Sequence, residues 1–103
     1  MRYHPPRAGV RADCCHADDT PHSATVLGLV ELSAEGVHVR LDAAPQPGSA
    51  VLIRLGLPEG PVYLFPGEVA WVVADRGGSG FSAGIRFDEC LPRDTLRVFV
   101  EMP

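Results

Sequence analysis

Several strings in this chain carry residue types that do chemistry, and most of them lose it once their surroundings are read. Gly80-Phe81-Ser82-Ala83-Gly84 has the G-x-S-x-G spacing of a nucleophile elbow, but that elbow needs a tight strand-to-helix turn on a parallel sheet. Here the string lies in an alternating run with Phe81, Ala83, Ile85 and Phe87 on one face. Ser82 therefore reads as a strand residue. Cys14-Cys15-His16, with His22, offers zinc-binding side chains, yet neighbours on a strand point to opposite faces and no C-x-x-C accompanies them. No metal site is expected. The pairs Asp18-Asp19 and Asp88-Glu89 fall at turns with no base beside them, and read as solvated loop acids. All nine basic residues are arginine, which excludes lysine-dependent chemistry such as a P-loop or a Schiff base. A binding module, not an enzyme, is the expectation.

Two strings remain. Arg7-Ala8-Gly9-Val10-Arg11 places two arginines four residues apart, on the same side of an extended segment and about 13 Å apart. Each guanidinium forks onto phosphate or onto the O6/N7 edge of guanine. Further along, Glu31-Leu32-Ser33-Ala34-Glu35-Gly36 combines a carboxylate that accepts guanine protons, a hydroxyl, and a glycine that permits positive φ or close backbone approach. Arginine, carboxylate and hydroxyl together are the groups that read a guanine nucleotide. The same residues also read as a solvated basic tail and a glycine-containing turn, and spacing alone favours that reading.

The elements that must position these strings are strands. A weak strand is expected around Val10 to Ala17, and a firmer one from Ala24 to Leu32. From Gly36, Val37, Val39 and Leu41 face inward against His38, Arg40 and Asp42. Ala50 to Leu57 alternates in the same way. Val62 to Ala74 does too, with a bulge or corner expected at Pro66-Gly67 before Val69, Trp71 and Val73 resume. Arg76 to Gly80 is a hairpin loop, and Phe81 to Phe87 the strand after it. Asp94 to Val100 reads as a short helix capped near Pro92 to Asp94, burying Leu96, Phe99 and Val100. About six strands in so short a chain suggest a closed barrel.

The 103 residues suit a single domain over residues 1–103, with 46% hydrophobic and 21% charged residues. The net charge is −4, but residues 1–12 hold Arg2, Arg7 and Arg11 and no acid, leaving −7 on the remainder. A basic and mobile arm on an acidic body suits one local anion site and argues against DNA or RNA as partner. No stretch is long and apolar enough to insert in a membrane, and no signal peptide is seen, so the expected compartment is the cytoplasm. Three cysteines, an odd number, fit reduced thiols.

The chain resembles the PilZ domain family, in which RxxxR in the N-terminal segment is followed by [D/N]xSxxG at a strand turn, then a β-barrel and a terminal helix. Arg7 and Arg11 match the first motif, and Ser33 and Gly36 the second, while Val69-Ala70-Trp71 and Gly84-Ile85-Arg86-Phe87 resemble later strands. The resemblance covers residues 5 to 100. It implies an all-β fold, a six-stranded antiparallel barrel with a short C-terminal helix. It also implies a receptor for the bacterial second messenger cyclic di-GMP, with Arg7, Arg11, Glu31, Ser33 and Gly36 as ligand-binding residues, no further cofactor, and a protein partner that reads the liganded state. Glu31 stands where the family has Asp or Asn, and Pro6 where many members carry another arginine. An adaptor without ligand, acting on motility, pilus or signalling machinery, is the alternative.

Overall fold

The computed structural model describes residues 3–16 and 25–101. Arg2, Asp18, Asp19 and His22, noted above, lie outside the described residues. Six strands, β1 (Arg11–His16), β2 (Val26–Leu32), β3 (Gly36–Leu41), β4 (Ala50–Gly56), β5 (Val62–Ala74) and β6 (Phe81–Phe87), precede one helix, α1 (Arg93–Phe99). They form one antiparallel sheet in the order β1-β4-β5-β6-β3-β2. The sheet curls until its end strands β1 and β2 approach without pairing, giving a nearly closed barrel.

Period-two alternation fixes which residues fill it. Val37, Val39 and Leu41 on β3, Val51, Ile53 and Leu55 on β4, and Ala83 and Ile85 on β6 are all buried. Burying each of the Val, Leu and Ile side chains contributes about 1.5–3 kcal/mol, so a one-residue slip of any of these strands would be expensive. Cys14 is part of this core, and burial, with the neighbouring Cys15, pushes its thiol up to about 11. It stays protonated and packs as a small apolar group.

One end of the barrel is closed by α1. Leu96 and Phe99 are buried, and the Leu91 N–H donates to the Ala34 carbonyl at 2.7 Å, tying the helix approach to the β2–β3 turn. The helix begins at Arg93 without a side-chain cap, and Asp94 in its first turn complements the helix dipole. Val100 is not helical as expected from the sequence. It is extended and bridges Pro6.

The irregularity in β5 is not at Pro66. Pro66 pairs with Leu52, and its missing N–H faces the side on which β6 ends, so no ladder bond is lost. The register shifts between Val69 and Trp71 instead, making Ala70 the extra residue. A one-residue bulge inverts the faces that follow. Val69 is buried, while Trp71 and Val73 point outward, 41% and 58% exposed, against the inward run expected for all three.

Candidate functional site

The turn from β2 into β3 is built by Ser33. Its N–H donates to the Gly36 carbonyl at 2.8 Å. Its hydroxyl accepts from the N–H groups of Glu35 at 3.2 Å and Gly36 at 3.1 Å, and lies 3.3 Å from the Gly36 carbonyl. Ser33 is 1% exposed, so its hydroxyl shapes the turn and is not presented to solvent. Gly36 is required by close approach: a β-carbon there would overlap the carbonyl oxygen of Ile85 on β6.

Glu31, two residues earlier, faces outward with its side chain 41% exposed. It begins a row that crosses four strands. Glu31 is opposite His38, His38 opposite Gly84, and Gly84 opposite Trp71. His38 Nδ1 lies 3.6 Å from Glu31 Oε1, while the imidazole meets the Trp71 ring edge-on with centroids 5.1 Å apart. His38 Nε2 is buried without a hydrogen-bond partner among the described residues. The indole reaches this far because it covers Gly84, where any side chain would collide with it. Beside the row, Tyr3, Glu35, Gly36, Trp71, Gly84 and Arg86 line a hollow of about 230 Å³. His38 read as a solvated sheet residue and Trp71 as core. The signal available for both was Gly84, a glycine inside a strand, which marks a close approach.

The N-terminal segment runs past this motif. His4 and Leu32 exchange two backbone hydrogen bonds of 2.8 and 2.9 Å, and Leu32 sits between Glu31 and Ser33. The Arg7 N–H then donates to the Phe99 carbonyl at 2.7 Å, and its Nε to the Arg97 carbonyl at 3.2 Å. The C-terminal carbonyls of α1 are a favourable seat for a cation. Arg7 and Arg11 do not share one extended run. Gly9 has φ +86° and the Val10 N–H bonds back to the Arg7 carbonyl at 3.3 Å, so a turn separates them. Arg11 opens β1 and is exposed beside Val26–Leu29, in the seam between β1 and β2. The second motif, Glu31, Ser33 and Gly36, is thus assembled as one unit. Arg7 is on the helix end and Arg11 on the seam.

The other strings take ordinary places. Ser82 lies within β6 and its hydroxyl donates to Asp75 Oδ1 at 3.2 Å. Asp75 also accepts from Arg40 Nη2 at 2.7 Å and Nε at 3.1 Å, and these bonds hold its carboxyl below the usual range. Cys15 approaches the Leu52 carbonyl at 3.7 Å and Cys90 is exposed. Among the described residues no cluster of three metal-ligating side chains occurs, and no helix is long and apolar enough to cross a membrane.

The structure is thus a small antiparallel barrel with a short C-terminal helix and an N-terminal segment that pairs with β2 just before the serine–glycine turn. The sequence matches the PilZ domain profile over residues 2–102, and the chain belongs to that family. PilZ domains are receptors or adaptors, and no catalytic family is indicated. Among solved structures, the chain is similar to the Bacillus subtilis inhibitor of motility (MotI/DgrA), with a TM-score of 0.65 and 14% identity. That alignment covers 97% of this chain and 47% of the other, so the chain spans about half the length of that protein. Comparison with curated proteins by sequence returns no significant match.

Proposed function

We propose that this domain is a cytoplasmic receptor for cyclic di-GMP that signals to a protein partner by moving its N-terminal arm, and that it catalyses no reaction. The observation that carries this reading is the double hydrogen bond between His4 and Leu32. It anchors the start of the N-terminal segment beside the turn bearing Glu31, Ser33 and Gly36, from where the chain runs on to Arg7 at the end of α1 and Arg11 in the β1–β2 seam. In this reading Glu31 accepts protons from a guanine edge, and Arg7 and Arg11 fork onto phosphate or guanine O6/N7. Ser33 and Gly36 hold the turn in shape, and Trp71 offers an exposed ring on which a base stacks.

In this reading Arg7 gives up the bond from its Nε to the Arg97 carbonyl when it turns to the ligand, so occupancy trades a helix contact for a ligand contact. That exchange is the differential interaction a switch needs. The partner then reads a changed arm and helix end.

Calorimetric titration with cyclic di-GMP, against GTP and cyclic di-AMP, tests the reading. Cyclic di-GMP is expected to bind and cyclic di-AMP not, because adenine offers a donor at position 6 where the arginine fork needs an acceptor. The rival reading, an adaptor without ligand on motility, pilus or signalling machinery, draws on the internal partners of the same groups: Arg97 for Arg7, His38 for Glu31, the turn for Ser33. Absence of heat with all three nucleotides would favour it.

A further inference from the structure

β5 outruns one of its neighbours, and its first part is partnered on one side only. β4 pairs with it from Val62 to Glu68, whereas pairing with β6 begins at Gly67. In an antiparallel ladder, alternate residues direct their N–H and C=O groups to opposite neighbours. The Pro66 carbonyl accepts from the Asp88 N–H, on the β6 side, at 2.9 Å. The backbone groups of Leu64 and Val62 follow the same parity and point to that side as well. No backbone bond among the described residues meets them there. Both side chains are 57% exposed, so the edge is bare as well as unpaired.

Beside this edge lies a hollow of about 470 Å³ walled by Tyr63, Phe65, Phe87, Leu91 and Pro92. Tyr63 and Phe65 lie parallel with centroids 6.2 Å apart, and Phe99 packs edge-on to both at 5.2 and 6.1 Å. Asp88 and Glu89 line the same hollow and are exposed. Neither enters an ion pair among the described residues, whereas Arg40, Arg54 and Arg86 are each matched by an acid of their own.

We propose that this edge and hollow are a docking site for an extended segment of a partner protein in which apolar residues alternate with Lys or Arg. The segment continues the sheet where β6 stops, exchanging hydrogen bonds with Leu64 and Val62. One apolar side chain enters the aromatic hollow, and the flanking cations face Asp88 and Glu89. Pro66, having no N–H to offer, sets the limit of the added strand. Acidic segments are rejected by the same two carboxylates. The site gives a location and a chemistry to the partner in the proposed function but does not require cyclic di-GMP. Phe99 connects the two, since its carbonyl holds Arg7 while its ring packs against the walls of the hollow.

The test titrates the isotope-labelled full chain, without nucleotide, with the peptide acetyl-Lys-Val-Lys-Leu-Lys-Val-Lys-amide, and separately with its counterpart carrying Glu for every Lys. The lysine peptide is expected to shift the amide resonances of Val62 to Leu64 and of Asp88 to Thr95, and to slow hydrogen exchange at Leu64. Asp88→Asn with Glu89→Gln is expected to weaken it roughly twofold to thirtyfold, the range for two exposed ion pairs. Leu64→Pro removes one donor from the open edge without touching the β4 ladder, and is expected to abolish binding. No binding at millimolar peptide, equal binding of the glutamate peptide, resonance shifts confined elsewhere, or undiminished affinity in the Asp88/Glu89 variant would each overturn the proposal. So would self-association of the chain through this edge. Because nucleotide is absent throughout, failure here leaves the cyclic di-GMP reading untouched, and the calorimetric result leaves this one untouched.

Discussion

Gly84 lies under the indole of Trp71, in a position where a single added methyl group would collide with the ring nitrogen. The relationship depends on the extra residue Ala70, which turns Trp71 outward and sets it opposite Gly84. Gly84→Ala should therefore lift the indole from the barrel. The expected outcome is a changed emission from Trp71, the chain's single tryptophan, with a stability loss of about 1–3 kcal/mol for the forced overlap. Fluorescence and thermal melts of the variant check both. Weaker cyclic di-GMP binding should accompany them if the ring is a stacking platform.

Glu31 is one of the two positions, with Pro6, at which this chain departs from the motifs it resembles. Its carboxylate reaches His38 at 3.6 Å, so the longer side chain already has a neighbour that orients it. Glu31→Ala should weaken cyclic di-GMP binding by about 1–3 kcal/mol by leaving guanine donors unpaired. Glu31→Asp should bind equally or more tightly, because one fewer torsion is frozen. Calorimetry on the pair gives the order of affinities, and an Ala variant that binds like the parent would remove Glu31 from the site.

Arg7 and Arg11 should separate in their effects on stability. Arg11 is exposed with no ion pair among the described residues, so Arg11→Ala should leave stability within about 0.5 kcal/mol of the parent. Arg7→Ala removes a bond to the Arg97 carbonyl and should cost about 0.5–1.5 kcal/mol. Each should weaken nucleotide binding by about 1–3 kcal/mol. Denaturant melts and titrations of the two variants decide the matter, and a large destabilisation by Arg11→Ala would make that residue structural.

The β5–β6 hairpin should give the domain an acid limb. Asp75 is held below its ordinary pKa chiefly by its hydrogen bonds from Arg40, with Ser82 adding to them. A depressed folded pKa means that the unfolded chain binds the proton first as pH falls, so stability is lost from about pH 4 downward. Asp75→Asn should flatten that decline while lowering stability at neutral pH. Melting temperature against pH for the two proteins is the measurement, and parallel curves would refute the assignment.

Much of the barrel was legible where its strands keep an unbroken period of two. Val37, Val39 and Leu41 alternate with His38 and Arg40, and no other register buries them. Gly36 was legible as a glycine needed for positive φ or for close approach, and the close approach to the Ile85 carbonyl is the one realised. Trp71 was not, because one extra residue at Ala70 inverts the pattern and nothing in the local alternation marks it. Nor was the path of the arm. The Arg7 to Arg11 spacing looks extended until Gly9 turns it back, and the partners of Arg7 on α1 are ninety residues away in sequence. Contacts of that separation leave no local periodicity to read.

The bridge between Pro6 and Val100 joins residues near opposite ends of the sequence. Closing so long a loop is entropically unfavourable until the intervening chain has compacted. The arm is therefore expected to dock last during folding, onto a barrel and helix already formed. By the same reasoning it is the first part to open, on its own and without disturbing the core. Amide exchange at Arg7 would then report local undocking, while exchange at Val39 reports global unfolding. In the proposed function the signalling element is therefore also the last folding step, so the switch toggles at the energy of a few hydrogen bonds while the barrel stays intact.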